Sequence, residues 1–276
     1  MTWVESVSAS FTARHDSEAA DDAHRVLQSL ERRREYLQAL FPRTPDELTV
    51  VLHRGTAGLV FTNPLLPLAW LSTGAGGSDS RRYVVGWCGR RELHMLEPAR
   101  LRARASNRVG GSDSLEMLEY SAACLYARRV IIASNPDLAR VMPALRARRQ
   151  LRWAWLLEGG ARWFGGQTEH ARPAIARRLR EGGRPDFPPG LRDAALLGGT
   201  VIDLLVRERG EAAAARFVSR LHPPWSPGSA DRCLRRSIGD PHRRCLAFTP
   251  GARRRGAVTA EVPRNGCALV SGSADR

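Results

Sequence analysis

Glu158 is the residue whose type and surroundings most strongly suggest chemistry, because it is the one acidic side chain in an apolar segment. Residues 151–166 carry three tryptophans, a phenylalanine and three leucines at helical spacing. A helix this apolar is too hydrophobic to lie on a surface, and a carboxylate within it must be partnered or lie in a cleft. The segment therefore predicts a central helix that carries Glu158 to a site.

Two glycines follow this glutamate directly. Gly159 and Gly160 lack side chains, so a backbone or a ligand can approach them closely, and glycine pairs in a helix indicate a packing or functional requirement. We expect Trp155 and Gly159 to line a cleft beside Glu158. A simpler interpretation is a structural ion pair between Glu158 and an arginine such as Arg162, one helical turn away.

The segment resembles the second motif of the gluzincin metallopeptidases, the thermolysin and aminopeptidase type, whose pattern is roughly W-L-x-E-G-x-A followed by an aromatic residue. The matching residues are Trp155, Leu156, Glu158, Gly159 and Ala161, with Trp163 and Phe164 as the aromatics. Gly160 departs from the pattern, since the family usually carries a larger apolar residue there. The resemblance implies that Glu158 occupies the position of the third zinc ligand.

The same resemblance implies an upstream H-E-x-x-H helix, in which two histidines bind zinc and the glutamate deprotonates the bound water. A helix is expected over 112–133, but it contains no histidine. The best register aligns Leu118–Ala122 with the motif, which places Glu119 at the general-base position and aliphatic residues at both ligand positions. Glu116 offers an alternative register, and Glu119 can also be explained as a solvated helix residue. We therefore expect the protein to bind neither zinc nor another cofactor.

Other catalytic groups do not replace the missing ligands. No two of the seven histidines are spaced i, i+4. His94 lies on a predicted strand that lines the substrate groove in the family, so we expect it to point into the cleft. The alternative for a single histidine on a strand is a packed or surface residue. All four tyrosines precede Glu158, which leaves an arginine or His170 as the substitute for the family's oxyanion-stabilising group. A G-x-S-x-G motif is also absent.

Three functional hypotheses remain. The favoured one is a pseudopeptidase that keeps the cleft between two lobes as a binding surface for a peptide or protein, or only as a scaffold. The second is an active hydrolase with unconventional ligands, which requires Glu119, Glu158 and a histidine such as His94 to converge within about 4 Å. The third is an arginine-rich nucleic-acid-binding protein.

The composition argues against the third hypothesis. The chain has a net charge of +15, which favours phosphate binding in general. However, all 43 basic residues are arginine, which is typical of the codon bias of a GC-rich genome, and they are spread over most predicted helices. No base-reading module is recognisable. We therefore expect no nucleic-acid partner.

Cysteine usage and hydropathy favour a cytoplasmic protein. The five cysteines are an odd number, widely spaced and without a C-x-x-C pair, so neither a disulfide framework nor a zinc ribbon is indicated. The N-terminus lacks the features of a signal peptide. The longest apolar run, 56–71, contains Pro64 and Pro67 and is shorter than the about 20 residues of a bilayer span. We expect no membrane segment.

The order of predicted elements indicates an α+β fold. Alternation and helical periodicity predict the following elements: a strand at 5–14, a long helix ending near 41, a strand at 47–53, a hairpin of strands 83–87 and 92–96 joined at Gly89, and helices at 112–133, 151–166, 170–181, 191–208, 211–221, 229–237 and 240–248. We expect a small, mainly antiparallel sheet lobe with a long helix (1–111), a helical lobe (112–250) and a disordered tail (251–276). The gluzincin resemblance implies the same zincin-like order.

Overall fold

The computed structural model describes residues 3–63, 85–106, 117–139, 150–181, 186–191, 193–221, 230 and 232. Its strands are β1 (Trp3–Val7), β2 (Phe11–Asp16), β3 (Leu48–His53), β4 (Gly86–Cys88) and β5 (Glu92–Leu96). Its helices are α1 (Ala20–Gln38), α2 (Thr56–Thr62), α3 (Pro98–Ser106), α4 (Ser121–Ser134), α5 (Pro136–Ala139), α6 (Ala154–Phe164), α7 (Arg172–Glu181), α8 (Ala194–Arg209) and α9 (Glu211–Val218). Short 3-10 turns precede α1 and α7. The predicted tail at 251–276 and the predicted helix at 240–248 lie outside the described residues.

The five strands form one mixed sheet with the order β1-β2-β3-β5-β4. The pairs β1/β2 and β4/β5 are antiparallel, whereas β2/β3 and β3/β5 are parallel. The expectation of a mainly antiparallel sheet was therefore wrong. Helix α1 lies between β2 and β3 in the chain, and a helical crossover of this kind returns the next strand in the parallel direction. The α+β class itself is confirmed.

The two antiparallel strand pairs are hairpins. The predicted single strand at 5–14 is a hairpin, because the chain reverses between Val7 and Phe11. Glu31 of α1 holds this reversal, since its carboxylate accepts hydrogen bonds from the Ser8 hydroxyl and the Ser10 amide, each at 2.7 Å. The hairpin at Gly89 is confirmed, where the Gly89 amide donates to the Glu92 carbonyl at 2.7 Å.

Helix α4 lies against the sheet on one side and against α6 on the other. Tyr126 of α4 is fully buried and meets Phe11 of β2 edge to face, with ring centroids 5.2 Å apart. On the other side of α4, Ile131 packs against Gly160 of α6. The buried apolar residues of the sheet and of the helices form one continuous core. The sheet, α4 and α6 therefore share this core.

Helix α4 ends at Ser134, one residue beyond the predicted end at 133, and Asn135 and Pro136 follow it. Asn135 is fully buried, and its side-chain amide forms three hydrogen bonds. Its Nδ2 donates to the carbonyls of Ile131 and Val218, each at 2.8 Å, and its Oδ1 accepts from the Leu221 amide at 2.7 Å. This residue thus ties the end of α4 to the end of α9.

Helices α6 and α8 cross with their backbones in direct contact. A Cβ atom built on Gly159 would lie 2.3 Å from the carbonyl carbon of Gly198, and one built on Gly198 would lie 2.3 Å from the carbonyl oxygen of Trp155. Real Cβ atoms essentially never come closer than 3.0 Å to another heavy atom. Gly159 therefore belongs to a helix crossing and does not line a cleft. The glycine pair of the motif and the glycines at 198–199 are partly explained by packing.

Within the described residues, no helix combines the length and the apolar character that crossing a bilayer requires.

Candidate functional site

Glu158 lies in the middle of α6 and forms an ion pair with Arg128 of α4. The Arg128 Nε atom donates to Glu158 Oε1 at 2.7 Å. The Arg128 side chain is 21% exposed and the Glu158 side chain is 34% exposed, so the pair is only partly open to water. The same guanidinium contacts Cys88 Sγ of β4 at 3.1 Å and Gln150 Oε1 at 3.2 Å. The site thus joins the edge of the sheet, α4 and α6.

The guanidinium of Arg128 is a fixed positive charge within this site. Burial alone would lower its pKa, but the Cys88 sulfur and the Glu158 carboxylate act in the opposite direction and raise the pKa above its usual value. Glu158 is therefore neutralised by a cation that belongs to the protein. Loss of either partner would leave an uncompensated charge in a half-buried site, which is destabilising.

The simpler interpretation of Glu158, an ion pair with Arg162, named the wrong arginine. Arg162 Nη1 donates to Gln167 Oε1, and Gln167 Nε2 in turn donates to the Met117 carbonyl. Arg162 is thereby committed to the turn that follows α6. Arg128 reaches Glu158 instead because α4 packs alongside α6. The i, i+4 rule considers residues of a single helix, so it cannot predict an ion pair between two helices.

The structure does not place the turn at 118–122 opposite Glu158. Leu118 and Ala122 are 5% and 4% exposed and belong to the core. Glu119 is exposed and lies near Arg25 of α1, whose pKa is raised mainly by Asp22 and to a smaller degree by Glu119. This placement agrees with Glu119 as a solvated helix residue.

A later turn of α4 faces Glu158 instead. Arg128 contacts Glu158 directly, and Cys124, four residues earlier on the same face, packs against Gly165 at the end of α6. Burial raises the pKa of the Cys124 thiol to about 12, and Glu158 contributes to this rise. Cys124 and Arg128 are thus the i, i+4 pair on the side of α4 that carries the Glu158 contact.

His94 lies on the other face of the sheet from Arg128 and Glu158. In the β4/β5 hairpin, Trp87 pairs with His94 and Cys88 pairs with Leu93. Neighbouring residues of a strand point to opposite faces. Cys88 contacts Arg128, so His94 faces away from that site. The expectation that His94 points into the Glu158 cleft was wrong, and Glu119, Glu158 and His94 do not converge.

Trp155 is a core residue rather than part of a cleft wall. It is 4% exposed, and its ring lies 6.2 Å from that of Phe187 at an interplanar angle of 55°. Its indole Nε1 is buried and has no hydrogen-bond partner among the described residues. Its apolar packing explains the tryptophan of the motif, but this packing does not use the N–H group.

A second cluster of polar side chains occupies the His94 face of the sheet. His94 stacks on Trp87, with centroids 4.2 Å apart and ring planes 9° apart, and on His53 at 5.3 Å. His53 Nε2 lies 3.0 Å from His94 Nδ1, and His94 Nε2 lies 3.1 Å from Glu92 Oε2. Glu92 can only accept when ionised, so His94 carries its proton on Nε2 and His53 donates to His94. The three groups form one hydrogen-bonded chain.

Both imidazoles of this chain are held neutral. Burial lowers the pKa of His53 to about 4, and the neighbouring His94 adds to this effect. Burial also lowers the pKa of His94, although Glu92 opposes the shift. A neutral, stacked pair of histidines that hydrogen-bond to each other and to Glu92 is a packing arrangement with a pH-dependent cost. Among the described residues, no group of three histidine, cysteine, aspartate or glutamate side chains is placed to hold a metal ion.

The protein should lose stability as the pH falls from 6.5 towards 4. The pKa of His53 is about 4 in the folded protein and 6.5 in the unfolded chain, so the unfolded state binds the extra proton within this window. The contribution of neutral His53 to the free energy of unfolding is present above pH 6.5. The loss of this contribution should reach about 2 kcal/mol at pH 5. Urea unfolding at pH 7, 6 and 5 measures it.

His53→Asn should flatten this pH dependence, because asparagine keeps a hydrogen-bonding group toward His94 without titrating. The matched control is His24→Asn, since His24 is exposed on α1. An unchanged slope in His53→Asn would show that another group titrates in this window.

Arg128, Cys88 and His53 are among the residues of these clusters that the sequence did not predict. Arg128 could have been considered from the sequence, because it is a charged residue four positions after Cys124 on the same helix. Cys88 and His53 gave no signal, because their roles depend on which strands are neighbours and which face each residue takes.

No family model, curated protein or solved structure matches this chain.

Proposed function

We propose that this protein is a non-catalytic relative of the gluzincin metallopeptidases, in which the guanidinium of Arg128 takes the place of the metal. The observation that carries the proposal is the Arg128–Glu158 ion pair at 2.7 Å. Glu158 is the residue that the W-L-x-E-G-x-A resemblance assigns to the third zinc ligand. A divalent cation and a guanidinium both neutralise such a carboxylate, and the second needs no exchangeable ligand.

The proposal implies a new register for the degenerate H-E-x-x-H motif. Cys124 and Arg128 stand at the two histidine positions, and Leu125 stands at the glutamate position. This register is supported by geometry, because Arg128 contacts Glu158 whereas Leu118 and Ala122 belong to the core. The general base is then absent together with two ligands. A protein of this kind serves as a binding surface or a scaffold.

The experiment is a measurement of metal content and proteolysis on the same sample. Protein purified from zinc-supplemented medium should contain less than about 0.1 zinc per chain and should leave casein intact at neutral pH. Thermolysin treated in the same buffers is the positive control for both readings. One zinc per chain, retained through dialysis, would contradict the proposal whatever the activity.

A further inference from the structure

A separate pocket of about 230 Å³ lies where α1, α6 and α9 meet the turn at Tyr120 and the 3-10 turn Thr168–Ala171. Its lining is aromatic and charged, with one arginine and two glutamates. The lining side chains include Arg33 and Tyr36 of α1, Tyr120, Trp163 at the end of α6, Glu169 and Glu211. Trp163 is five residues after Glu158 and thus about 140° around the helix. The pocket is therefore distinct from the Glu158 site.

The aromatic wall of this pocket already accepts a cation from the protein. The Arg33 guanidinium lies 5.3 Å from the centre of the Tyr36 ring, and its Nη1 donates to the Phe164 carbonyl at 3.0 Å. The Tyr36 hydroxyl donates to Glu211 at 3.0 Å, so Glu211 is the counter-charge on this side. Burial, followed by Glu211, raises the pKa of Tyr36, and the phenol stays neutral. The positive charge of Arg33 and the negative charge of Glu211 thereby balance each other.

The pocket lining also includes an acid without such a balance. Glu169 is exposed and has no ion-pair or hydrogen-bond partner among the described residues. Near it, Tyr120 is stacked on His170 with centroids 4.8 Å apart, which fixes the ring. The indole N–H of Trp163 points to Asp203 at 3.3 Å. The rings of Tyr120 and Trp163 are thus held in place by contacts of their own.

From this arrangement we infer that the pocket binds the positively charged end of a small organic molecule, an alkylated ammonium or a guanidinium group. Such cations are attracted to the faces of tryptophan and tyrosine, and a nearby carboxylate adds to the attraction. The volume suits a head group with a short tail, since pockets for larger ligands measure about 300–1,000 Å³. The net charge of +15 repels cations from the protein as a whole, so binding must come from the local lining.

The test uses choline and its uncharged isostere 3,3-dimethyl-1-butanol in calorimetric titrations of the full chain at constant ionic strength. Choline should bind with a dissociation constant of about 1 mM, and the isostere should bind at least about tenfold more weakly. N-acetylarginine amide replaces choline in a second arm, to distinguish a guanidinium from an alkylated ammonium. Binding of either cation in preference to the uncharged isostere supports the inference.

Two variants locate the binding. Glu169→Gln should weaken it about fivefold, and Trp163→Leu should weaken it about tenfold or more. Glu5→Gln is the matched control, because Glu5 is an exposed glutamate on β1 and should leave the affinity unchanged. Circular dichroism shows that each variant is folded, and Glu169→Gln, at an exposed position, keeps the test decisive if Trp163→Leu does not fold.

The inference would be overturned by no binding of either cation at 20 mM, by equal binding of choline and its isostere, or by an affinity unchanged in Glu169→Gln and in a folded Trp163→Leu. Preferential binding of acetate would also overturn it, by identifying Arg33 as the ligand-binding group. The outcome is independent of the metal measurement proposed above, because the two sites share neither a side chain nor a probe.

Discussion

Replacing Gly159 by alanine should lower the free energy of unfolding by about 3 kcal/mol or more, or prevent folding altogether. In an ordinary helix the same change is stabilising by about 1 kcal/mol, because alanine is the better helix former. The sign is reversed here because the new methyl group would lie 2.3 Å from the backbone of Gly198. A backbone contact cannot be relieved by a side-chain rotation, so α6 and α8 would have to separate.

Urea unfolding followed by circular dichroism at 222 nm measures this effect. Gly190→Ala is the matched control, since a Cβ atom there meets nothing within 4 Å, and it should change stability by less than about 0.5 kcal/mol. Gly198→Ala should behave like Gly159→Ala, because its methyl group would lie 2.3 Å from the Trp155 carbonyl oxygen. A neutral or stabilising Gly159→Ala would show that the two helices are not in contact.

This crossing changes how much of the W-L-x-E-G-x-A pattern needs a functional explanation. Trp155 is in the core, Gly159 permits the approach of α8, and Gly160 permits the approach of α4. All three would be required in any protein with these helix contacts. Only Glu158 has no packing role of this kind. The weight of the resemblance therefore rests on Glu158 and on the residues that α4 presents to it.

Local patterns predicted most of the elements correctly. The alternation of Phe11 and Ala13, the break at Asn135-Pro136 and the hairpin at Gly89 are each determined by a few neighbouring residues, so the sequence contains the necessary information. The parallel pairing of β2, β3 and β5 depends on the path of the chain through α1 and α2. Such pairing has no local signature, and the antiparallel expectation was wrong for that reason.

The candidate site likewise contains residues that a local pattern predicts and residues that only tertiary contacts define. Glu158 was found because a lone acid in an apolar helix is a local anomaly. Its partner Arg128 and the neighbouring Cys88 come from α4 and β4, and only the packing of these elements on α6 brings them together. The position of His94 was misjudged because the face of a strand that meets the helices cannot be chosen from the strand's sequence alone. Residues with local signals were found, and residues defined by tertiary contacts were not.

The double variant Cys124→His, Arg128→His should bind about one zinc ion per chain, with an affinity at least about a hundredfold above that of the unaltered protein. The two imidazoles would stand at i and i+4 on the face of α4 that meets Glu158, which is the spacing that lets two histidines of one helix reach one ion. Removing the guanidinium also frees Glu158 to become the third ligand. Zinc should therefore restore the stability that the loss of the ion pair costs, because binding to the folded state alone shifts the unfolding equilibrium.

Zinc content after dialysis, the absorption of the cobalt-substituted protein and the rise in melting temperature on adding zinc measure the effect. The single variant Cys124→His keeps Arg128 and should bind no zinc, because the guanidinium repels a second cation from the same carboxylate. Adding Glu158→Gln to the double variant removes the third ligand and should weaken binding about tenfold to a hundredfold. A folded double variant that takes up no zinc, or one whose affinity is unaffected by Glu158→Gln, would mean that Arg128 pairs with Glu158 for structural reasons alone. In that case the ion pair would not mark a lost metal site.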